Sequence, residues 1–389
     1  MIFSKRVAIF CLAALPVLLQ ANCVFGQNPG APYAHMDREA VDYRGPGRAR
    51  SSDISSKAAT VGILLPLEGA DGELGRALLK AAQQAISDEN QRGALSDGRF
   101  FSLAVKNATG SWGQSSTEMM RLITDDQSLA LIIGPSGNLA HQAEQIANKL
   151  GISIVTLASD ATTTQINIPW IFRVVPSDQQ QAEAIAHGIY DKNKNARVLL
   201  IATTDHDGRV GKLEFTRAAR RLGADAPAEL DVDPELVDTG QVQDAVHSSK
   251  AEVVVFWTDS LVFEELLDPV QSARSVRATY ACEKAALPTL LNPSSSWVKT
   301  AVRVPVSGPS LSQPAMSQQV YSAVRLIAAA IRTAGPNRAR VRDALARSTL
   351  DAAGESGPLF DGAGNLLAKP QLVPVRAAAP QSGESSSIK

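Results

Sequence analysis

The chain has 389 residues, of which 44% are hydrophobic and 20% charged, and its formal net charge is −1. This length is too great for one small core and predicts two domains. The near-zero net charge and the aromatic content of 5% exclude a basic surface that stacks on bases, so we expect no nucleic-acid partner.

A short apolar run follows two basic residues at the N-terminus. Lys5 and Arg6 precede residues 7–19, which carry no charge. This run is shorter than a membrane span and typical of a signal-peptide core, so we predict a signal peptide over residues 1–26 and a periplasmic or otherwise exported protein. An uncleaved membrane anchor and a lipid anchor on Cys23 are the alternatives.

Low-complexity segments lie at both ends of the predicted folded part. Residues 27–57 combine Gly, Pro, Ser, Arg and Asp with little apolar periodicity, which predicts a flexible tether. Residues 377–389 are Ser-rich and predict a disordered tail. Of the three cysteines, Cys282 is the one expected to remain after processing, so the sequence does not support a disulfide framework.

Strand and helix signals alternate through the first half of the chain. Apolar strands are predicted at residues 61–65, 100–105, 130–133 and 152–157, with helices after the first three at 74–86, 114–124 and 139–150. A second unit of the same kind is predicted from helices at 180–190 and 211–222 and strands at 197–202 and 253–256. Two further helices, at 317–333 and 340–348, and a last strand at 371–375 complete the pattern. This alternation predicts an α/β protein with parallel sheets in two lobes and a cleft between them.

Small polar residues follow several of the predicted strands, where parallel sheets place ligand sites. Ser136, Gly137 and Asn138 open a helix, where free backbone N–H groups and the helix dipole favour a carboxylate. Residues 158–164 add hydroxyl groups after the fourth strand. Five acids could pair with an ammonium group: Asp160, Asp178, Asp205, Asp207 and Asp259. Helix capping is the alternative role for each of these side chains.

Enzymatic motifs are incomplete. Residues 134–138 resemble a nucleophile elbow around Ser136, but Asn138 stands where that motif has Gly, and His141 is too close in sequence to be assigned as the base. We therefore expect no enzyme. The glycines of residues 69–75 lack dinucleotide-binding spacing, so we expect no cofactor.

Metal-binding motifs are also incomplete. The five histidines are scattered, and no pair has metal-ligand spacing, so we expect no metal. His206, between Asp205 and Asp207, could bind a cation, but a solvated turn is the favoured interpretation of this segment.

The order of several segments resembles a known family. These segments are residues 61–69, 132–136, 151–159, 171–182, and 317–331 with 357–365. Together they are similar to periplasmic binding proteins of type 1 in the leucine/isoleucine/valine-binding class, the substrate-binding proteins of branched-chain amino acid ABC transporters. The likeness covers roughly residues 60–375.

The resemblance implies two Rossmann-like lobes joined by a hinge, with a cleft that closes on its ligand. It places residues 58–178 and 282–346 in the first lobe and residues 179–281 and 347–376 in the second. It also implies capture of a small polar ligand, such as an amino acid or amide, for a membrane permease complex. By position, the ligand-binding residues would be Ser136, Gly137, Asn138, Ala158, Ser159 and Asp160 in the first lobe and Asp259 in the second.

The sequence departs from the family pattern in the second lobe. Val210 precedes Gly211 where the family often has tyrosine, and the covering aromatic would have to be supplied by Trp112 or Trp257. The segment of residues 270–314 is short and rich in Pro and Ser, whereas family members usually carry more helix and strand there. These departures keep open an alternative function, a ligand-sensing or cell-envelope regulatory interaction module of the same fold.

Overall fold

The computed structural model describes residues 56–69, 71–166, 168–286, 301–307, 315–352 and 355–375. The predicted signal peptide, Cys23, nearly all of the tether and the predicted tail lie outside these residues. Within the described ranges, no helix has both the length and the apolar character that a membrane crossing requires.

The first sheet has five parallel strands. They are β1 (Ala59–Leu65), β2 (Phe101–Asn107), β3 (Ala130–Ile133), β4 (Ser153–Thr156) and β5 (Ile171–Arg173), in the order β2-β1-β3-β4-β5. Every residue of β1, β3 and β4 is buried. Continuous burial is expected for a parallel sheet covered on both faces, and it explains why these strands are uninterrupted apolar runs.

Helices cover both faces of the first sheet. They are α1 (Gly72–Gln91), α2 (Trp112–Thr124), α3 (Gly137–Leu150), and the later α9 (Ala315–Ala334) and α10 (Arg338–Ala346). One apolar cluster joins the sheet to α1 and α9, and another joins it to α2 and α3. A single short turn, α4 (Thr162–Gln165), follows β4. The first sheet is therefore doubly wound, and the loops after β1, β3 and β4 open on one edge.

The second sheet has six strands, of which one is antiparallel. They are β6 (Val198–Thr203), β7 (Ala228–Val232), β8 (Val253–Trp257), β9 (Ala278–Ala281), β10 (Val302–Val306) and β13 (Gln371–Val375), in the order β13-β10-β9-β8-β6-β7. Its helices are α5 (Asp178–Tyr190), α6 (His206–Arg221), α7 (Thr239–Ser249) and α8 (Ser260–Ser272). Two further strands, β11 (Thr349–Ala352) and β12 (Glu355–Pro358), form a separate hairpin.

The position of β10 differs from the sequence-based expectation. Residues 282–346 are predicted for the first lobe, but β10 pairs with β9 and β13 of the second sheet. Pro305 in β10 obscures the strand signal there, because proline is rare inside central strands. The other predicted lobe boundaries stay predictions.

The chain passes between the sheets at residues 174–177, where β5 leads into α5. A turn at Gly364 and Asn365 supports this crossing: the Arg173 N–H donates to the Gly364 carbonyl at 2.8 Å, and the Arg173 guanidinium bonds the Asn365 amide oxygen. Gly364 has φ 84°, and a Cβ there would lie 2.0 Å from the Ile171 carbonyl oxygen. The turn therefore requires glycine at this position.

Candidate functional site

The first turn of α3 meets the first turn of α6 across the gap between the two sheets. The Gly137 N–H of α3 donates to Asp207 Oδ1 of α6 at 3.1 Å. The other oxygen of Asp207 accepts from Lys284 Nζ at 2.8 Å. Burial alone would lower the pKa of Lys284, but the charges of Asp207 and Asp71 raise it well above its usual range. A carboxylate of the second lobe thus lies on the helix N-terminus of the first.

Beside this contact, two histidines share one carboxylate. His141 Nε2 lies 2.9 Å and His206 Nε2 lies 2.7 Å from Asp160 Oδ2, and we refer to these three residues as the His–Asp cluster. The other oxygen of Asp160 accepts from the Thr162 N–H at 2.9 Å. His141 Nδ1 lies 3.0 Å from Glu144 Oε1. The cluster joins the lobes, because His141 and Asp160 belong to the first and His206 to α6 of the second.

The charges of the cluster stabilise one another. Burial disfavours the charge of Asp160, which is 1% exposed, but hydrogen bonds from His141, His206 and Thr162 outweigh burial and hold its pKa well below the usual range. Hydrogen bonds to Asp160 and then Glu144 raise the pKa of His141 to about 10. His141 is therefore an imidazolium at neutral pH.

The facing wall of the second lobe is rich in carboxylates. Asp178 is buried, and burial followed by the charge of Asp207 raises its pKa to about 7. The Trp257 Nε1–H donates to Asp178 Oδ1 at 3.3 Å. Asp205 and Asp259 cap α6 and α8, with Oδ1 atoms 2.8 Å and 2.9 Å from the backbone nitrogens that they accept from. Nearby, burial raises the pKa of the Cys282 thiol to about 12, so it stays protonated and unreactive.

Two cavities lie at the strand ends. The larger, of about 720 Å³, is lined by loops after β1, β2 and β3 and includes Ser136, Asn138 and Trp112. The smaller, of about 10 Å³, lies between the lobes and includes Ser159 and Asp259. Small-molecule sites usually measure about 300–1,000 Å³, whereas about 10–15 Å³ holds one water. Only the larger of these two cavities has room for a solute.

The predicted site residues of the first turn divide between two environments. Ser136 and Asn138 line the larger cavity, and Ser136 Oγ also caps α3 by accepting from the Leu139 N–H at 3.4 Å. Gly137 instead holds Asp207. The turn thus caps α3 and also places polar side chains on the larger cavity.

The remaining predicted site residues are engaged within the protein. Ala158 is fully buried, and its N–H donates to the Thr156 hydroxyl at 3.0 Å. The Ser159 carbonyl accepts from the Asp178 N–H at 2.8 Å. Asp160 forms the His–Asp cluster, and Asp259 caps α8. Ligand contacts by all seven predicted residues stay predictions.

Several residues at this interface carry no sequence signal. Lys284 follows a strand in a segment that sequence reasoning leaves unassigned, and Glu144 lies inside a helix. His141 and His206 have no metal-ligand spacing, because they belong to helices of different lobes. Trp257 is buried against Gly211 rather than placed over the larger cavity, where the exposed Trp112 lies.

The geometry also tests whether His141 could act as the base of a serine hydrolase with Ser136 as its nucleophile. Both ring nitrogens of His141 face carboxylates, and the raised pKa keeps the ring protonated. A protonated imidazole cannot accept the proton of Ser136. His141 is therefore not the base of a Ser136 nucleophile.

Comparison with known proteins places these features in a family. The profile of the periplasmic binding protein family matches residues 58–270, more than half of the chain. The Leu/Ile/Val-binding protein BraC3 of Rhizobium johnstonii is 23% identical over 200 residues, which are 51% of this chain. The match spans about half of that relative, 53% of its length.

Solved structures share the fold. The branched-chain amino acid transporter substrate-binding protein LivJ of Streptococcus pneumoniae, in complex with isoleucine, has a TM-score of 0.67 and 14% identity, covering 82% of this chain and 99% of its own. The leucine-binding protein LivK of Thermotoga maritima has a TM-score of 0.70 and 16% identity, covering 82% and 96%. A solute-binding protein of an ABC transporter from R. palustris, in complex with benzoate, has a TM-score of 0.67 and 15% identity, covering 83% and 100%. By its profile match and its fold, the chain belongs to the periplasmic binding protein family.

Proposed function

We propose that this chain is an exported, non-enzymatic solute-binding protein that captures a small polar ligand between its lobes for the permease of an ABC-type transporter. We further propose that the ligand carries a carboxylate and an amino group, as an amino acid does. The observation that carries the proposal is the bond from Gly137 to Asp207, in which the N-terminus of α3 already holds a carboxylate.

The carboxylate half of the proposed site is the first turn of α3. Free N–H groups and the positive end of the helix dipole favour an anion there. When the lobes separate, Asp207 withdraws with α6, and the carboxylate of a solute can take its place on Gly137. Ser136 and Asn138 lie beside this position and line the larger cavity, which would receive the rest of the ligand.

The amino half of the proposed site is the acidic wall of the second lobe. Burial raises the pKa of Asp71 at the cleft edge, the charge of Lys284 lowers it, and the charges of Asp259, Asp207 and Asp205 raise it, so several carboxylates lie around one lysine here. An ammonium group placed between these acids would supply the missing positive charge. The relatives named for leucine, isoleucine and valine binding support this ligand class.

The proposal is tested by thermal shift of the purified protein with amino acids, the corresponding amides and sugars. A ligand that binds the folded state alone stabilises it by about 2.7 kcal/mol at a hundred times its Kd. We expect one or more amino acids to raise the Tm, and the amides that lack a free carboxylate to raise it less. We expect Asn138→Ala to weaken the shift several-fold.

The matched control is Asn195→Ala, which changes an exposed asparagine in a turn of the second lobe. It should leave the ligand-induced shift unchanged. A Tm that no amino acid raises would contradict the proposal, as would equal shifts from an amino acid and its amide.

A second candidate function has one specific observation in its favour. Among the described residues, Asp207 and Lys284 form an ion pair between the lobes, and a cavity lined by both measures only about 10 Å³. A cleft closed by its own side chains fits a cell-envelope interaction module that works without a solute. This function is favoured if the ligand panel has no effect on the wild type or on a variant that lacks the Asp207 carboxylate.

A further inference from the structure

We propose that the His–Asp cluster, His141, Asp160 and His206, is a binding site for a divalent transition-metal ion of the zinc class that clamps the two lobes together. The site adjoins the proposed solute site, because His141 also lines the larger cavity and Asp160 is among the predicted ligand-binding residues, but metal binding is measured without any solute.

The ligand atoms already lie close to the positions that a metal needs. The two Nε2 atoms and Asp160 Oδ2 all lie within 4.8 Å of one another. Zinc bonds of about 2.0–2.1 Å at tetrahedral angles place neighbouring ligand atoms about 3.3 Å apart. The 2.9 Å and 2.7 Å separations from Asp160 therefore need to widen by only about half an ångström, a shift within the reach of side-chain rotation. His141 is an imidazolium without the metal, so metal binding displaces its Nε2 proton into solvent, while Nδ1–H stays on Glu144.

Neighbouring residues hold the side chains of the cluster through hydrogen bonds of the kind that orient metal ligands. His141 Nδ1 lies 3.0 Å from Glu144 Oε1, and Glu144 is 5% exposed. A carboxylate on the far nitrogen of a ligating histidine fixes the ring and makes it a stronger ligand. The second oxygen of Asp160 is held by both the N–H and the hydroxyl of Thr162, at 2.9 Å and 2.7 Å, which leaves Oδ2 directed at the histidines.

The chemistry of the donors selects the metal. Two imidazole nitrogens and one carboxylate oxygen suit zinc, copper or nickel, whereas magnesium and calcium prefer oxygen ligands alone. Three protein ligands also leave one coordination position open, as in zinc sites that keep a water. Asp178 is close enough to Asp160 and Asp207 for their charges to help raise its pKa, and a cation on Asp160 would relieve this repulsion.

The position of the ligands couples metal binding to closure. His141 and Asp160 belong to the first lobe, and His206 stands at the start of α6 in the second. Separation of the lobes removes His206 and leaves two ligands. A metal that needs all three binds the closed arrangement more tightly and shifts the population toward it.

The test is calorimetric titration of the metal-free, full-length protein with ZnCl2. We expect one zinc ion per chain, no comparable binding of MgCl2, and at least a tenfold loss of zinc affinity in His206→Gln and in His141→Gln. His247→Gln is the matched control, because His247 is exposed on α7 outside the cluster, and its affinity should equal that of the wild type.

A second measurement separates a clamp from stray surface binding. Small-angle scattering should give a smaller radius of gyration for the wild type with zinc than without it, and no such change for His206→Gln. The His206 side chain is 28% exposed, so its replacement should fold, which circular dichroism verifies. Absence of zinc binding, or zinc affinity that survives in a folded His206→Gln variant, would overturn the proposal whatever the amino-acid panel shows.

Discussion

At the scale of single residues, the cleft wall of the second lobe depends on a glycine. A Cβ on Gly211 would lie 1.7 Å from Trp257 Nε1, so the indole occupies the space that a side chain would take. Trp257 is 3% exposed, and its Nε1–H donates to Asp178. Gly211 therefore sets the position of an aromatic ring and, through it, of a buried acid.

Replacement of Gly211 by alanine should destabilise the protein. Trp257 and Asp178 must move to admit the methyl group, and overpacking of this kind typically costs about 1–3 kcal/mol. Urea unfolding measures the change. Gly113→Ala in α2 is the control, since nothing lies within 4 Å of its added Cβ, and alanine there should be neutral or stabilising by up to about 1 kcal/mol.

Equal stability of the Gly211→Ala variant and the wild type would show that the Trp257 ring can shift without loss of stability.

The sequence predicted the turn before Gly211 and showed that Val210 replaces the usual tyrosine. It could not predict that Trp257 fills this space, because the contact joins residues of two different strand–helix units and follows no spacing rule.

At the scale of elements, α9 packs on the first sheet but also reaches the second lobe. Gln319 Nε2 of α9 donates to Glu283 Oε1 at 3.0 Å, and the Glu283 N–H donates to the Gln181 side-chain oxygen at 2.9 Å. Glu283 is 1% exposed, and burial raises its pKa to about 8 despite the hydrogen bond from Gln319. A buried acid that is neutral in mildly acidic solution thus joins the elements of the two lobes.

This acid should make stability depend on pH. A glutamate in the unfolded chain has a pKa of about 4.3, so the folded protein holds the proton more tightly. The contribution of Glu283 to the free energy of unfolding is full below pH ~4.3 and is lost as the pH rises through about 8. Between pH 5 and pH 8.5, the free energy of unfolding should fall in the wild type. In Glu283→Gln it should fall by at least about 1 kcal/mol less, as measured by urea unfolding.

Glu235→Gln, at an exposed position of the second lobe, is the control and should follow the wild-type pH profile. Some pH dependence should survive in Glu283→Gln, because the pKa of Asp178 is also raised, to about 7. Identical slopes for Glu283→Gln and the wild type would rule out a buried proton on Glu283.

The elements themselves were predictable to different degrees. β1, β3 and β4 are buried apolar runs bounded by turn residues, and the sequence located each within two residues. β7, α7, α8 and β9 were not assigned, and the Pro-containing β10 was placed in the wrong lobe. Those elements depend on neighbours far away in sequence: β10 is held between β9 and β13, and β13 lies near the end of the described chain.

At the scale of the whole molecule, the lobes meet through polar contacts. Asp207 joins Gly137 to Lys284, and His206 joins the second lobe to Asp160. The apolar clusters lie within each sheet and its helices rather than between the lobes. Polar contacts can exchange for water at a net cost of a few kcal/mol, so the arrangement suits lobes that open and close.

Sequence reasoning predicted this architecture but not the closed cleft. The alternating pattern and the resemblance led to two α/β lobes, which the fold and the family confirm. The strand-end turns at 136–138 and 158–160 were predicted as one wall of the site. The contacts of that wall with Asp207 and His206 were not predicted: Asp207 was a candidate partner of an ammonium group and His206 part of a solvated turn, because only the folded chain brings α6 against α3.

Removal of the Asp207 carboxylate should shift the molecule toward an open form. Asp207→Ala deletes the bond to Gly137 and leaves Lys284, whose side chain is 17% exposed, without this partner, so hydration of the ammonium group favours separation of the lobes. Hydrogen bonds to charged groups contribute about 1.5–3 kcal/mol, which corresponds to a shift in the closed-to-open ratio of about tenfold or more. We expect a larger radius of gyration in small-angle scattering.

Asp231→Ala is the control: it removes an exposed pair with Lys212 within the second lobe and should leave the radius unchanged. A folded Asp207→Ala variant with the wild-type radius would mean that the remaining contacts, chiefly the His–Asp cluster, suffice to hold the lobes together.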